Sequence, residues 1–410
     1  AIRSHKDLNR NPVLLFERII SPEQVPEQQH AIVTAMPVLF RPETAQAIAA
    51  LRPEIQPSKI SEHLDELANR QLVEVDIDAH PPLYHLHSLV EQVASERTED
   101  SAGLHKRIYD YYLCLPWDYK ACNLSDILHL IEAANHAFAI KNLELCSAVL
   151  YGDINLDKKL RDLGRDDISI PLHRKELELA NEKNDLNAQV QALTWLSHNL
   201  LWTGDFSETL AKCENAERIA IKIGDRRSQG ILMGRKATVY WFSRNIGIAY
   251  PLLQHALEIA VEVGDRYHEA VWIGRIGEIF RVVGKSDEAF QCFDRALAIA
   301  EDIGDKHTEG AMYGRKAQAY IQSGDYDMAL KLANIALEIT KDSCNKHNEA
   351  VFLSVIGESY EFLGQYDMAA NKYAEALDIA EKIGDKHHKH VYRRKLDRLI
   401  TQTKGSPSSP

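Results

Sequence analysis

The sequence contains none of the short motifs that bind a nucleotide phosphate or a catalytic metal. No G-x-x-x-x-G-K-[ST] occurs among its 410 residues, so the backbone cradle of a P-loop is absent. G-x-S-x-G and H-E-x-x-H are absent as well. Six cysteines are scattered without a C-x-x-C pair, a pattern typical of reduced thiols in a cytosolic protein. We therefore expect no enzymatic activity, cofactor or metal in this chain, and a cytoplasmic location.

Long apolar runs and an excess of positive charge are also missing. The first residues are polar and lack the apolar stretch of a signal peptide, and no apolar run is long enough to cross a bilayer. The formal net charge is -12, which as a whole repels nucleic acid and anionic membranes. Because 45% of the residues are hydrophobic, the chain can still bury a core. We expect neither nucleic acid nor membrane among its partners.

What the sequence does have is an internal repeat of 40 residues. Gly-Asp pairs begin at Gly224, Gly264, Gly304 and Gly384, and the skipped slot at Cys344 holds Cys-Asn. A second series of glycines keeps the same period: Gly204, Gly284, Gly324 and Gly364. A fixed period in this range predicts a solenoid, whose units bury their apolar faces only by stacking on one another.

Each unit predicts a pair of helices, here called helix A and helix B. In the unit 267–304, apolar residues follow helical spacing until Gly284 interrupts them. A second helix follows, with small residues such as Ala289 and Ala296 that allow close packing. Gly304 ends that helix and Asp305 is placed to cap the next one.

These residues resemble the tetratricopeptide pattern of Gly or Ala, aromatic, Gly-x-Tyr and spaced alanines. The unit is longer than the usual one and resembles the long repeats of kinesin light chain, of spindle adaptors and of bacterial signalling ATPases. The resemblance implies an all-α, right-handed superhelix of 40-residue repeats. We assign five repeats to 187–385, degenerate helical repeats to 98–186, a capping helix to 386–402 and a disordered tail to 403–410.

The front of the chain has a different texture. We predict helices at 27–39, 43–51 and 58–70, then a short hairpin, which is the element order of a winged helix and gives a winged-helix-like domain at 31–97. The third helix carries three acidic residues against Lys59 and Arg70, so we expect that it does not read DNA. Residues 1–30 would be a helical remnant of a preceding domain or a linker.

The stretch LYHLHSLVEQVASE at the end of this domain resembles the winged helix of signal-transduction ATPases with numerous domains (STAND proteins). In that family a Met-His-Asp-like triplet contacts the β-phosphate of bound ADP, and its match is Leu86-His87-Ser88. Only His87 is retained. The resemblance implies that His87 senses nucleotide only together with an ATPase core, and that this chain is the C-terminal part of such a protein.

Three arginines share one repeat position, two residues before the small residue of helix A: Arg235, Arg275 and Arg315, called here the arginine series. In tetratricopeptide arrays this face lines the concave groove, where guanidiniums suit carboxylate or phosphate groups. The alternative is that each pairs with a carboxylate of the scaffold. Arg275 has Glu278 one helical turn ahead as such a partner, whereas the other two have none nearby.

Two further sets of side chains are predicted to face the groove. The aromatic set comprises Trp202, Trp241 and Phe242. These side chains form either the floor of the groove, which would hold an apolar or planar group of a ligand, or part of the ordinary inter-helix core. The other is polar, and either bonds a peptide backbone or is solvated wall; it comprises His198, Glu278, Gln318 and Glu358.

A group of histidines, His387, His388 and His390, lies among basic residues of the capping helix. We interpret it as a solvated surface, with weak metal or anion binding as the alternative. In all, the sequence predicts a ligand- or partner-sensing scaffold, the regulatory arm of a STAND-type signalling protein. The alternative is a freestanding adaptor that holds a peptide in its groove. The expected partner is a protein, a peptide or a small anionic effector.

Overall fold

The computed structural model describes residues 20–21, 24–118 and 123–405. The predicted N-terminal remnant, over 1–19, and the end of the predicted tail, over 406–410, lie outside the described residues. Contacts divide the chain into a front unit, 1–117 with 125–154, and a repeat unit, 118–124 with 155–410. This division does not coincide with the predicted boundary between 97 and 98, because part of the segment 98–186 clusters with the front unit.

The front unit begins with three helices and a three-stranded antiparallel sheet of order β1-β3-β2. Its elements are α1 (Glu27–Ala35), a 3-10 turn (Met36–Val38), β1 (Glu43–Thr44), α2 (Ala45–Leu51), α3 (Pro57–Asn69), β2 (Val73–Asp76) and β3 (Leu83–Leu86). Residues 43–44 were predicted as helix but form β1, because Thr44 is the N-cap of α2: its side-chain oxygen accepts a hydrogen bond from the Ala47 amide, 3.2 Å away.

The core of this unit follows from sequence periodicity. In α3 the residues buried against the other elements are Ile60, Leu64 and Leu67, spaced at three to four residues as one face of a helix requires. In β3 Tyr84 and Leu86 alternate with half-buried neighbours and join the same core. Further helices follow: α4 (Ser88–Arg97), α5 (Ser101–Cys114), α6 (Leu128–Ala139) and α7 (Leu143–Tyr151), with a 3-10 turn at Leu124–Ile127.

The repeat unit consists of helices packed side by side in sequence order. They are α8 (Leu156–Asp162), α9 (Asp166–Glu182), α10 (Leu186–Thr203), α11 (Phe206–Ile223), α12 (Arg226–Phe242), α13 (Ile246–Glu262), α14 (Arg266–Val282), α15 (Ser286–Asp302), α16 (Lys306–Ser323), α17 (Tyr326–Ser343), α18 (Lys346–Phe362), α19 (Tyr366–Lys382) and α20 (Lys386–Gly405). Helices A are α10, α12, α14, α16 and α18, and the helix after each is its helix B.

The Gly-Asp pairs form the joints between repeats, as the sequence predicts. Gly264 has φ 70°, the left-handed conformation that ends a helix, and the carboxylate of Asp265 accepts a hydrogen bond from the His268 amide at 3.1 Å. The degenerate slot keeps the same geometry. Cys344 has φ 55° and the Asn345 side chain accepts from the Asn348 amide at 2.9 Å. The 40-residue period is therefore the spacing along the chain between equivalent helix ends.

Small residues in helices A allow neighbouring repeats to approach closely. A methyl group added at Gly274 would lie 2.6 Å from Cε of Met312, and one added at Gly314 would overlap the ring of Phe352. Met312 and Phe352 are buried and occupy equivalent positions in successive repeats. The array is thus the all-α tetratricopeptide superhelix that the sequence predicts, and the predicted fold class is confirmed.

The repeat unit coils far enough for its first helices to contact its last repeat. The Asn345 side-chain amide donates to Asp162 at 3.2 Å, and the rings of Trp202 and His347 are 5.0 Å apart. Gly164, after α8, lies against Ile383, where an added methyl group would be 2.6 Å from Cβ. Side chains on the inner face of this coil therefore meet groups from distant repeats.

Two further findings concern membrane-spanning helices and the state of the cysteines. None of the helices in the described ranges combines the length and the apolar content that a membrane crossing needs. Free thiols are found at Cys114, Cys146, Cys213 and Cys292. Cys344 is disulfide-bonded, so the expectation of reduced thiols is wrong at that position.

Candidate functional site: the inner face of helices A

Arg235 is held by the scaffold. Its side chain is only 6% exposed, and its guanidinium donates to the carbonyl of Thr194 and to Ser197 Oγ, the latter at 3.0 Å. A third contact, 3.2 Å long, reaches Nδ1 of His198. Burial lowers the pKa of Arg235 to about 10. Its partners belong to α10 of the preceding repeat and none of them is a carboxylate, so Arg235 joins two repeats.

Arg275 has a different environment although it occupies the same repeat position. Its Nε is buried and has no hydrogen-bond partner among the described residues. The guanidinium carbon lies 5.8 Å from the ring centre of Trp202 and 5.9 Å from that of Phe242, within the range of cation–π attraction. Burial, reinforced by the charge of Arg315, lowers the pKa of Arg275 to about 9. The protein therefore buries the Arg275 guanidinium in an environment that destabilises its charged form.

Glu278 does not pair with Arg275 as the sequence suggests. Its two carboxylate oxygens accept from Arg281 at 2.5 and 3.1 Å, so Arg281 is its intrahelical partner. Burial would raise the pKa of Glu278, but its hydrogen bond with Arg281 and the charges of Arg281, Arg315 and Arg275 lower it. Arg315 itself makes only a long contact, 3.7 Å, to Met312 Sδ, and burial lowers its pKa. One carboxylate therefore faces three guanidiniums.

The predicted aromatic residues fall into two groups. Trp202 donates its indole N–H to His198 at 3.2 Å and contacts the rings of Phe242 and His347. Phe242 stacks on Phe206 with ring centres 5.8 Å apart. Half-buried Trp202 and Phe242 thus border the Arg275 guanidinium, whereas Trp241 packs against the inter-helix core. Trp241 therefore matches the core alternative.

A cavity of about 440 Å³ opens on this face. Its lining includes four of the predicted site residues, Trp241, Phe242, Glu278 and Gln318. The other lining residues are Arg244, Arg281, Val282, Val351, Ser354, Val355, His388, Val391, Tyr392 and Lys395. Its charged side chains are three basic residues and one acidic residue, in a chain whose net charge is -12. The cavity is therefore locally positive.

Two of the remaining predicted residues, His198 and Glu358, belong to helices A, whereas His87 belongs to the front unit. His198 contacts Arg235 and Trp202, and burial, together with the charges of Arg235 and Arg161, lowers its pKa well below its usual value. The carboxylate of Glu358 pairs with Lys395 of α20 at 2.9 Å. His87 belongs to the front unit, at the N-terminus of α4, where its carbonyl accepts from the Glu91 amide at 2.9 Å.

Sequence reasoning missed the basic residues that make the cavity positive. Arg281 lies three residues after Glu278, a spacing that could have identified the pair. Arg244 follows α12 in a left-handed conformation, and Lys395 comes from the predicted capping helix. No local pattern places these two beside helices α14 and α16, because the coiling of the array does so.

The comparisons with known proteins agree with this fold. The tetratricopeptide repeat family profile matches residues 228–302, 267–342 and 308–382, so these segments carry tetratricopeptide repeats. No curated protein sequence matches the chain. Fold and matches together define a helical-repeat scaffold.

Solved structures resemble this chain at low sequence identity, and the first of those that follow has the same fold. Aspartyl phosphate phosphatase F from Bacillus subtilis is 12% identical with a TM-score of 0.51, over 92% of this chain and 95% of that one. A STAND protein with a tetratricopeptide repeat sensor from Pyrococcus horikoshii is 16% identical with a TM-score of 0.43, over 95% of this chain. The match spans 66% of that protein's length. A Rap protein complexed with Competence and Sporulation Factor is 15% identical with a TM-score of 0.45, over 74% of this chain and 92% of that one.

Proposed function

We propose that the repeat unit is a non-enzymatic, cytoplasmic sensing scaffold that binds an acidic segment of a partner protein, or a small anionic effector, on the inner face of helices A. The observation that carries the proposal is the locally positive cavity of about 440 Å³ in an acidic protein. A cavity of this size suits a small ligand or one or two side chains of a peptide.

The charge balance favours an anionic ligand. Glu278 lines the cavity and its charge acts on both Arg275 and Arg315, but its carboxylate oxygens are already hydrogen-bonded to Arg281. A buried cation without a hydrogen-bonded counter-ion is unfavourable. A carboxylate or phosphate between these guanidiniums would form charge-assisted hydrogen bonds in a site of low dielectric.

The front unit supports a regulatory role. Its order of helix, strand, helix, helix, strand, strand is that of a winged helix, and its end carries the LHSLV stretch that resembles STAND proteins. We assign the chain to the sensor arm of such a protein, with His87 sensing nucleotide only beside an ATPase core. On α3 the exposed acidic residues Glu62, Asp65 and Glu66 disfavour DNA binding. A freestanding peptide-binding adaptor remains the second candidate.

The test measures binding of fluorescein-labelled hexaglutamate to the full chain by fluorescence anisotropy. Arg275→Gln removes a buried charge whose Nε has no hydrogen-bond partner among the described residues, so affinity should fall by about one to two decades. Affinity should also fall as the salt concentration rises. Arg218→Gln, on the outer helix α11, removes the same charge from an exposed side chain bonded to Asn215, and should leave affinity unchanged.

Arg235→Gln distinguishes a residue that stabilises the scaffold from one that contacts the ligand. Because Arg235 bonds α10, this variant should melt at a lower temperature and keep its affinity in the folded fraction. Equal weakening by Arg218→Gln, or no effect of Arg275→Gln, would refute an anionic ligand on this face. Hydrogen exchange distinguishes the two candidates: ligand should change exchange within 27–97 for a sensor arm and leave it unchanged for an adaptor.

A further inference from the structure

Three potential metal ligands meet at the last joint of the array. His347, at the start of α18, places Nδ1 3.0 Å from Asp385 Oδ2, and His388, in the first turn of α20, places Nδ1 2.8 Å from the same oxygen. Within the described part of the chain this is the one group of at least three His, Cys, Asp or Glu side chains whose ligand atoms lie within 4.8 Å of one another. Asp385 is 8% exposed.

The equivalent joint three repeats earlier has similar geometry but different chemistry. Asp265 accepts from His268 Nδ1 at 2.9 Å and from Arg227 Nε at 2.6 Å. Arg227 and His347 occupy the same repeat position, as do His268 and His388. Arginine can only donate hydrogen bonds and cannot bind a metal ion. The last joint therefore differs from its counterpart in having two imidazoles on one carboxylate.

A second observation distinguishes this joint from a purely structural contact. Tyr392, one turn after His388, is 2% exposed, and its hydroxyl is buried without a hydrogen-bond partner among the described residues. Its ring centre lies 5.7 Å from that of His388, and the charge of Asp385 acts on the hydroxyl. His388 and Tyr392 both line the cavity. An unsatisfied buried hydroxyl beside the cluster suits a metal-bound water or ligand atom.

We propose that His347, Asp385 and His388 bind one divalent transition-metal ion, for which Zn²⁺ is the appropriate probe, and that the ion fastens α20 to α18. Imidazole nitrogen and carboxylate oxygen are ligands that zinc accepts, in a set of three that leaves a position for water. Tetrahedral coordination with bonds of about 2.1 Å places neighbouring ligand atoms about 3.4 Å apart, so each imidazole nitrogen has to move only about 0.5 Å from Asp385 Oδ2 to admit the ion. Each imidazole binds the ion through an unprotonated Nδ1, so a protonated ring releases one proton to solvent and a neutral ring carries its proton on Nε2.

The experiment titrates Zn²⁺ into the metal-free full chain against a chromophoric chelator and records the melting temperature in parallel. The chain should bind one tight equivalent and melt at a higher temperature with zinc. His347→Arg reproduces the Arg227–Asp265 pairing, so it should fold normally without metal but bind zinc at least about tenfold more weakly and lose the zinc-dependent rise. His388→Ser, matching Ser228 of an earlier joint, is a second ligand deletion and should behave likewise.

The reverse substitution provides a gain-of-function control. Arg227→His places a second imidazole beside Asp265 and His268, and the protein should then bind a second equivalent of zinc. Unchanged affinity in folded His347→Arg and His388→Ser would overturn the proposal, because binding would then belong to exposed histidines such as His390. Absence of a tight equivalent in the unsubstituted protein would overturn it too. Neither result depends on the hexaglutamate measurements.

Discussion

At the scale of single residues, neighbouring repeats decide what each side chain does. Arg235 and Arg275 share a repeat position, yet Arg235 meets a backbone carbonyl and a hydroxyl of α10, whereas the Nε of Arg275 meets no acceptor among the described residues. The neighbouring helices A explain this difference, since α10 presents Ser197 to Arg235, whereas Arg275 faces the rings of Phe242 from α12 and Trp202 from α10. The same residue type is therefore structural in one repeat and available for a ligand in the next.

A buried polar network at the start of the repeat unit gives a prediction about pH. His173 is fully buried, with Nε2 2.7 Å from Asp157 and Nδ1 3.3 Å from Glu176. Burial would lower the pKa of His173, but the charge of Asp157 and the two hydrogen bonds raise it to about 9. A raised pKa stabilises the fold fully below pH 6.5, and this contribution is lost as pH rises through about 9.

We expect the free energy of unfolding to decrease between pH 6.5 and 10 by up to the order of 3 kcal/mol through this group. Urea denaturation at a series of pH values measures it. His173→Gln should be less stable at pH 6.5 and should show a smaller decrease over the same range, since other groups titrate equally in both proteins. Identical pH profiles for the two proteins would show that His173 carries no such charge.

At the scale of elements, glycine within helices A sets the distance between repeats. Gly314 lies in the middle of α16, where alanine would favour the helix by about 1 kcal/mol. A Cβ there would overlap the ring of Phe352, and overpacking of this kind costs about 1–3 kcal/mol. We therefore expect Gly314→Ala to lower the free energy of unfolding by up to about 2 kcal/mol.

Gly247 provides the matched control for this substitution. It lies in the first turn of α13, and a Cβ there would meet nothing within 4 Å. Gly247→Ala should leave stability unchanged or raise it by up to about 1 kcal/mol. Combining Gly314→Ala with Phe352→Leu should restore part of the loss. If Gly314→Ala were as stable as Gly247→Ala, the close packing of α16 on α18 would be wrong.

At the scale of the repeat unit as a whole, its two ends are in contact. Gly164 and Gly204 both follow a helix with positive φ, 67° and 84°, so alanine strains the backbone similarly at either position. Only at Gly164 would the methyl group also meet Ile383, whereas nothing lies within 4 Å of it at Gly204. Gly164→Ala should thus be less stable than Gly204→Ala by about 1–3 kcal/mol.

Thermal denaturation of the two variants tests this contact between the ends of the array. Gly164→Ala should also increase hydrogen exchange around Ile383, a region more than 200 residues away along the chain, and Gly204→Ala should not. Equal losses of stability in the two variants, with no change near Ile383, would mean that the array does not close on itself in solution.

The sequence by itself determined the helical hairpins and their period. Gly-Asp pairs end one helix and cap the next through contacts that span at most five residues, so the joints could be predicted, including the degenerate one at Cys344 and Asn345. It also identified the arginine series as groove-facing candidates. Local spacing could not predict which of these arginines has a scaffold partner, because the partners of Arg235 lie 37 to 41 residues away.

Only the tertiary structure decided what the inner face contains. Each repeat turns slightly relative to its neighbour, and the accumulated rotation brings Trp202 beside His347 and Asp162 beside Asn345. The same coiling places Lys395 on the cavity wall, and packing of α20 on α18 places His347 and His388 on one carboxylate. Such juxtapositions depend on the sum of many small packing angles, which no single segment of the sequence specifies.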